Sequence, residues 1–271
     1  MRNSTLKYFT HSGDIFFLYL SKKNMPAIHL DKINTRAPKG MSKEKTKAKT
    51  EKLLEELDEL QNLLYAESKH AVLIVLQAHD AGGKDGLVRN VFGKFNPQGV
   101  LVQSFKVPTA EELSHDFLWR IHKHTPAKGY IQVFNRSHYE DVLVTRVHKI
   151  IDDETAMERM QAINDFEKLL KLNNTHILKF YLHISPDEQK KRLDERIRDP
   201  RKQWKYNEND FTERKLWKEY MSAYQDVFKH CNDVPWAILP SDQNWYKEYV
   251  AAETLHKLLK SLNMQYPGIK K

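Results

Sequence analysis

The sequence predicts an α/β fold in which helices cover both faces of a parallel sheet of about five strands. Two observations favour this class. Short apolar runs rich in β-branched and aromatic residues alternate along the chain with longer stretches of helical periodicity. The first run, residues 71–77, is apolar almost throughout, as is typical of a strand buried on both faces. Alternation of this kind predicts a three-layer α/β/α arrangement.

The predicted elements follow one another in a regular order. Strands are predicted at residues 71–77, 100–105, 130–134, 176–184 and 235–239. Helices are predicted at residues 42–67, from 87 onward, and at 109–124, 139–150, 156–172, 185–198, 210–230 and 244–262. The clearest helix starts are the capping box of residues 109–112 and the Ser-Pro-Asp-Glu run of residues 185–188. Residues 1–40 lack periodicity and are predicted to be an irregular extension of a single domain over 41–271.

Composition narrows the class of partner. The 271-residue chain is 40% hydrophobic and 30% charged, with a formal net charge of +8. A basic balance suits a polyanion, which could be a nucleic acid, an acidic membrane or a phosphate-rich substrate. No apolar run approaches the roughly 20 residues of a membrane span, so we expect no membrane insertion. The single cysteine, Cys231, excludes an internal disulfide and fits a reducing, cytoplasmic compartment.

The first predicted strand leads directly into residues 80–86, DAGGKDG. A strand, a glycine-rich turn holding a lysine, and a helix together form the setting of a phosphate-binding loop. The match to the Walker pattern is partial, because Ala78 replaces its first glycine and Asp85 its Ser or Thr. Since an acid among phosphates requires a cation, Asp80 is predicted to be a metal ligand. A glycine turn with solvated side chains is the alternative. The candidate phosphate-binding residues here are Gly82, Gly83, Lys84, Asp85 and Gly86.

Residues 135–141, NRSHYED, follow the third predicted strand and should reach the same edge of the sheet. Arg136 would direct a guanidinium group at phosphate oxygens. Asn135 stands where P-loop kinases often carry an acid. Glu140 and Asp141 begin a helix, where acids are also ordinary first-turn residues, so a structural role stays open for both.

Residues 190–214 form a basic crossing between two predicted helices, interrupted by Pro200 and interleaved with aromatic residues. This make-up favours a mobile basic lid over phosphates. A solvated face and a nucleic-acid-binding surface are the alternatives. The lid candidates are Arg192, Arg196, Arg198, Arg201, Lys202, Lys205 and Arg214.

With these segments placed, the chain resembles polyphosphate kinase family 2, and most closely its class III branch. The resemblance rests on several long stretches in order: LQAHDAGGKDG, NPQGV, SFKVPTAEEL, HDFLWRIHKHTPAKG, FNRSHYEDVLVTRVH and EQKKRLDERIRDPRKQWKY. The family's loop usually reads GxDAAGKDG, so Ala78, His79 and Gly82 depart from it. Class III members commonly carry asparagine where Asn135 stands.

The resemblance implies a P-loop kinase-like fold with a helical basic lid. It also implies transfer of the terminal phosphoryl group of inorganic polyphosphate to ADP or GDP, and to AMP, with Mg²⁺, or Mn²⁺ in its place. Catalytic roles fall to Asp80, Lys84 and Arg136, metal binding to Asp80, Asn135 and Glu140, and nucleotide binding to Asn135, Arg136, Glu140 and Arg146. The family further implies a homo-oligomer, a dimer or tetramer.

Two other functions compete with this one. An ATP-dependent nucleotide kinase would share the fold, and the long basic lid is the feature against it. A non-catalytic, basic nucleic-acid-binding protein would explain the net charge. It would not explain Asp80 and Lys84 in one loop, so we expect no nucleic-acid partner.

Overall fold

A five-stranded parallel sheet forms the centre of residues 28–269, the part of the chain that the computed structural model describes. Its strands run in the order β2-β3-β1-β4-β5. Their bounds are β1 Ala71–Gln77, β2 Val100–Ser104, β3 Ile131–Asn135, β4 Thr175–His183 and β5 Trp236–Pro240. All neighbouring pairs are parallel, which confirms the predicted class of sheet.

Helices alternate with these strands along the chain. Their bounds are α1 Lys43–Glu67, α2 Lys84–Asn90, α3 Ala110–Leu113, α4 Trp119–His122, α5 Glu140–Val147, α6 Asp153–Leu172, α7 Pro186–Arg198, α8 Asn209–Glu213, α9 Trp217–His230 and α10 Asn244–Ser261. Within residues 28–269, no helix combines the length and the apolar character needed to cross a membrane.

Two hydrophobic layers hold the helices against the sheet. On one face, Leu73 and Tyr181 pack with residues of α5, α6 and α9. On the other, Val72 and Ile74 pack with residues of α1, α2 and α10. Strand β1 has neighbours on both sides and on both faces, and all seven of its residues are buried. The three-layer arrangement is therefore the predicted one.

Two predicted helices are interrupted. The helix predicted at 109–124 divides into α3 and α4, because the side chain of Asp116 accepts a hydrogen bond from the Leu118 N–H at 3.0 Å and turns the chain. The capping box that begins α3 is present as predicted. The helix predicted at 210–230 divides into α8, a short 3-10 turn at Arg214–Leu216, and α9.

The strand order reverses beside β1, and this reversal places the functional loops. The chain leaves β1 for the edge strand β2, returns through β3, and then crosses β1 to reach β4. The loops after β1 and β3 therefore meet the start of α7 at one end of the sheet. Crevices at such switch points are where ligands bind in open parallel sheets.

The irregular residues 28–40 are tied to this same end of the sheet. Leu30 is fully buried, and its carbonyl lies 3.0 Å from His183 Nε2 at the end of β4. Thr35 Oγ1 donates to Asp242 Oδ2, beyond β5, at 2.8 Å. The predicted extension therefore contributes to the fold from residue 28 onward, while residues 1–27 lie outside the described part of the chain.

Candidate active site

The phosphate loop, residues 78–86, joins β1 to α2 through two left-handed positions. Ala81 has φ of 57° and Gly83 has φ of 97°. Glycine takes such a φ without steric cost, and Gly83 directly precedes the first residue of α2. The N–H groups of the first turn of α2 have no partners within the helix, so they are available to an anion.

Gly82 is required by close contact with Ala78. A Cβ atom added at Gly82 would lie 2.6 Å from the Ala78 Cβ and 2.8 Å from the His79 carbonyl oxygen. Both positions therefore cannot carry a Cβ at once in this backbone. In the usual loop of the family that the chain resembles, glycine stands at the position of Ala78 and alanine at that of Gly82, so only one of the two positions carries a Cβ there as well.

Arg136 brings the second segment onto this loop. Its Nη2 lies 2.9 Å from Asp80 Oδ1, and its Nη1 lies 3.1 Å from Glu140 Oε2. Its own backbone is left-handed, with φ of 65°, and its N–H donates to the Leu76 carbonyl at 3.2 Å. A non-glycine residue in this conformation costs on the order of 1 kcal/mol, so the surrounding contacts must hold it. The predicted residues Asp80, Arg136 and Glu140 are thus in direct contact.

Asp85 connects the phosphate loop to the two other segments. Asn135 Nδ2 donates to Asp85 Oδ1 at 3.1 Å, and Lys205 Nζ lies 2.8 Å from Asp85 Oδ2. Burial alone would raise the pKa of Asp85, but the hydrogen bonds from Lys205 and Asn135 outweigh it and lower the pKa. Asn135 therefore uses its amide nitrogen within the loop cluster and keeps its side-chain oxygen for other partners.

Lys84 lies at the start of α2 with Nζ 3.0 Å from the Ala78 carbonyl oxygen. Burial lowers the pKa of Lys84 to about 8, and the neighbouring Arg136 adds to the effect, while Asp80 and Glu140 oppose it. A phosphate anion beside Nζ would favour the protonated form again, because opposite charges stabilise each other in a partly buried site.

An aromatic cluster closes the other side of the loop. The ring of His79 stacks on Trp217 with centroids 4.0 Å apart and meets Tyr220 and Tyr224 edge-on. Burial lowers the pKa of His79 to about 3, so this ring is neutral at pH 7. A cavity lies beside it, lined among others by Asp80, Arg136, Glu140, Glu213, Tyr220 and Tyr224. Sequence reasoning did not identify Glu213, Tyr220 or Tyr224, because they come from helices remote in the chain.

Most of the predicted lid cations pair within residues 186–214. Arg196 pairs with Asp210, Lys202 with Glu195, and Arg201 with Asp199. Arg214 donates to the carbonyl of Pro186, and Arg198 is exposed. Lys205 reaches the phosphate loop through Asp85, and Arg192 reaches it through the Ala81 carbonyl.

Arg146 is not brought into the cluster. Its guanidinium lies 2.6 Å from Asp226 on α9 and 2.7 Å from Asp153 on α6. These two carboxylates compensate its charge within the helical layer. The hydrogen bonds therefore support a structural role for Arg146 in place of the predicted nucleotide contact.

The residues present fit a divalent cation that substrate phosphates help to hold. Within residues 28–269, no group of three or more His, Cys, Asp or Glu side chains could hold a metal ion alone. Asp80 and Glu140 nevertheless present carboxylates on either side of one guanidinium, and the amide oxygen of Asn135 accepts no hydrogen bond from the residues that the structure describes. Magnesium commonly binds through one or two carboxylates together with substrate phosphates.

A lysine, an arginine and acids around a loop of this type can compensate the charge of a phosphoryl group in transfer. Fold and site together therefore define a phosphotransferase of the P-loop kinase type. The family described as Polyphosphate kinase 2 (PPK2) matches residues 40–268, and the chain belongs to this family. It is a transferase that uses polyphosphate to phosphorylate nucleotides.

Two similar proteins and one solved structure carry compatible names. The chain is 48% identical over 213 residues to an "AMP/ADP-polyphosphate phosphotransferase" of Meiothermus ruber, covering 78% of this chain and 80% of that one. It is 43% identical over 228 residues to an "ADP-polyphosphate phosphotransferase" of Rhodopseudomonas palustris, covering 79% of each. A crystal structure of Polyphosphate Kinase 2 from Arthrobacter aurescens TC1 superposes with a TM-score of 0.88 at 41% identity, covering 92% of this chain and 90% of that one.

Proposed function

We propose that this enzyme transfers the terminal phosphoryl group of inorganic polyphosphate both to AMP and to nucleoside diphosphates such as ADP and GDP. The contact of Arg136 with both Asp80 and Glu140, beside Lys84, is the observation that carries the proposal. It concentrates charge of both signs at the switch point of the sheet. The Meiothermus ruber relative, whose name includes both acceptors, supports the choice of AMP as well as ADP.

The roles of the residues follow from their charges. Lys84 and Arg136 compensate negative charge that develops on the transferring phosphoryl group. Asp80 and Glu140, with the amide oxygen of Asn135, would hold Mg²⁺, for which Mn²⁺ could substitute. When bound, this ion neutralises charge shared between phosphate oxygens. Because the accepting phosphate is already anionic at pH 7, no side chain has to remove a proton from it.

Asn135 bears on the choice of acceptor. An aspartate in its place would add a negative charge next to Asp85, 3.1 Å away. Asparagine has a similar size and an oxygen donor but no charge. Acceptors with one or two phosphates therefore meet less repulsion here, which supports dual acceptor use.

The lid would bind the polyphosphate chain. Arg198, Arg201 and Lys202 lie on the exposed surface of the basic crossing, and Lys205 bridges that crossing to the phosphate loop. Cations spread along a crossing suit a linear polyanion, since each repeating phosphate finds a charge. Three other cations of the crossing bond to protein groups and stabilise its structure: Arg192, Arg196 and Arg214.

Composition and family membership indicate the compartment, the oligomeric state and the partners that we expect. We place the enzyme in the cytoplasm as a homo-oligomer, a dimer or tetramer. Polyphosphate, nucleoside mono- and diphosphates and Mg²⁺ are its partners, and nucleic acid is not. The reduced, buried thiol of Cys231 is consistent with such a compartment.

An assay with polyphosphate as the phosphoryl donor tests this function. Purified protein is incubated with ADP and long-chain polyphosphate, with Mg²⁺, with Mn²⁺ or with chelator, and ATP formation is measured. We expect ATP with either metal and none with chelator. An ATP-dependent nucleotide kinase would instead phosphorylate AMP from ATP and ignore polyphosphate, which would overturn the proposal.

A further inference from the structure

Two side chains of the lid helix α7 bond to the backbone of the phosphate loop. Gln189 Nε2 donates to the Asp80 carbonyl at 3.1 Å, and Arg192 Nη1 donates to the Ala81 carbonyl at 3.1 Å. Gln189 is only 2% exposed. Arg192 Nη2 donates to the carbonyls of Ser241 and Asp242 beyond β5, and its Nε donates to the Glu188 carboxylate. Each nitrogen of the Arg192 guanidinium thus has a partner within the protein, and most of these partners are main-chain oxygens.

A third side chain that bonds to the loop comes from α10. Lys247 Nζ donates to the Gly83 carbonyl and to Asn244 Oδ1, each at 3.0 Å. Lys247 is fully buried, and burial lowers its pKa to about 7. A Cβ atom added at Gly83 would lie 2.4 Å from Nζ, so the ammonium group fills the space beside the loop. Sequence reasoning missed Lys247, since it looks like any surface lysine of a closing helix.

Together these contacts occupy nearly every carbonyl of the loop. Of the six between residues 78 and 83, four accept side-chain donors and one, His79, accepts the Gly82 N–H. The peptide bonds of the described residues are all trans. In a trans peptide the N–H points away from the carbonyl of the same unit. Tying the Asp80 and Gly83 carbonyls to helices therefore turns the N–H groups of Ala81 and Lys84 to the other side.

We infer that Gln189, Arg192 and Lys247 are positioning residues of the phosphate loop, which orient its N–H groups toward the transferring phosphate without binding substrate themselves. The inference rests on the proposed function for its catalytic consequence. It also changes the role of Arg192, which the sequence placed among the polyphosphate-binding cations. Because Gln189 and Arg192 belong to the helix that begins the lid, the same contacts fix the loop relative to the lid.

The test uses Lys247→Met, which keeps side-chain volume and removes the donors, and Gln189→Leu, which removes the contact from α7. Lys260→Met is the matched control, because it removes an exposed α10 lysine whose Nζ lies 3.1 Å from Glu56. Two quantities are measured: hydrogen exchange of the amides of residues 78–86 in substrate-free protein, and kcat and KM for ADP and polyphosphate. Either of the two test variants suffices if the other does not fold.

We expect faster exchange in the loop and a fall in kcat of up to about 100-fold, with the KM for polyphosphate nearly unchanged, in both variants and not in the control. Unchanged loop exchange would overturn the inference. Faster exchange with an unchanged kcat would also overturn it. A raised KM for polyphosphate as the main effect would overturn it too, because that result indicates that the side chain binds polyphosphate directly. Hydrogen exchange is measured without substrate. Failure of the wild-type enzyme to use polyphosphate would therefore count against the proposed function only. The exchange rates would still show whether Gln189 and Lys247 hold the loop.

Discussion

At the scale of single residues, the site is a set of charges that compensate one another until substrate enters. Arg136 holds Asp80 and Glu140, and Lys205 holds Asp85. Lys84 bonds to a loop carbonyl and is the cation of the phosphate loop without a carboxylate partner in the described contacts. A phosphate entering the loop would therefore meet Lys84 first, and metal would compete with Arg136 for the carboxylates.

Lys84→Met and Asp80→Ala should each lower kcat by roughly 10²–10³-fold, because each removes charge compensation at the transferring phosphate. Turnover is measured with saturating polyphosphate and Mg²⁺, and circular dichroism checks the fold. Asp187→Ala, which removes a first-turn acid of α7, is the control of equal charge change for Asp80→Ala. Near-wild-type kcat in either loop variant would remove these residues from the catalytic set.

The close contact of Ala78 with position 82 predicts a compensating pair. Gly82→Ala alone should cost on the order of 1–3 kcal/mol of unfolding free energy and reduce activity, because the loop must move to accept the new Cβ. Adding Ala78→Gly should restore part of both, because it removes the contact between the two Cβ atoms and leaves the one with the His79 carbonyl oxygen. The measurement is a double-mutant cycle by urea unfolding and kcat.

Gly86→Ala is the matched control for this pair, since an added Cβ there meets nothing within 4 Å. Additive losses in the double variant would show that positions 78 and 82 do not share this space.

At the scale of elements, the sequence predicted every strand and the loop that follows β1. Residues 71–77 coincide with β1, because an apolar run between turn residues has few other interpretations. The helix breaks at Asp116 and at Arg214–Leu216 were not visible. The first depends on one side chain that competes for a backbone N–H, and the second leads into Trp217, whose stacking on His79 is a tertiary contact.

The sequence predicted those residues of the cluster that come shortly after a strand. It missed those that lie on helices remote in the chain. Asp80, Lys84, Arg136 and Glu140 lie in motifs with a local pattern. Gln189 and Lys247 carry no local signal, since glutamine and lysine on amphipathic helices are ordinarily solvated. Only the packing of α7 and α10 against the loop reveals their contacts with its carbonyl groups.

The lid supports a prediction about salt. Replacing Arg198, Arg201 and Lys202 together by glutamine should raise the KM for polyphosphate and flatten its dependence on salt, because polyphosphate carries more charges along the lid than a nucleotide does. The KM for ADP should change less. Arg196 is left intact, since its pairing with Asp210 supports the lid itself.

The same charge change on α1, with Lys45, Lys47 and Lys49 replaced by glutamine, is the control for the lid variant. A larger effect on the ADP KM than on the polyphosphate KM would show that the basic crossing contacts the nucleotide.

At the scale of the whole molecule, residues 28–40 pack against the carboxyl ends of β4 and β5 and so become part of the fold. Removing residues 2–26 should leave activity and thermal stability unchanged, because the sequence of residues 1–24 has no pattern that predicts a helix or strand of the fold. Removing residues 2–38 should cost roughly 2–5 kcal/mol or more of unfolding free energy, since it deletes the buried Leu30.

Urea unfolding of both truncated proteins measures the difference. Equal stability of the two would show that the contacts of Leu30 and Thr35 contribute nothing. Instability of the shorter deletion would show that residues before 27 also stabilise the fold.

A time course that begins with AMP tests our proposal that one site uses two acceptors. The enzyme is incubated with long-chain polyphosphate, Mg²⁺ and AMP freed of ADP, and nucleotides are separated by anion-exchange chromatography. We predict that ADP appears first and ATP follows, with no ATP supplied as donor. Failure to form ADP from AMP, under conditions in which added ADP becomes ATP, would contradict the claim and leave a kinase for diphosphates alone.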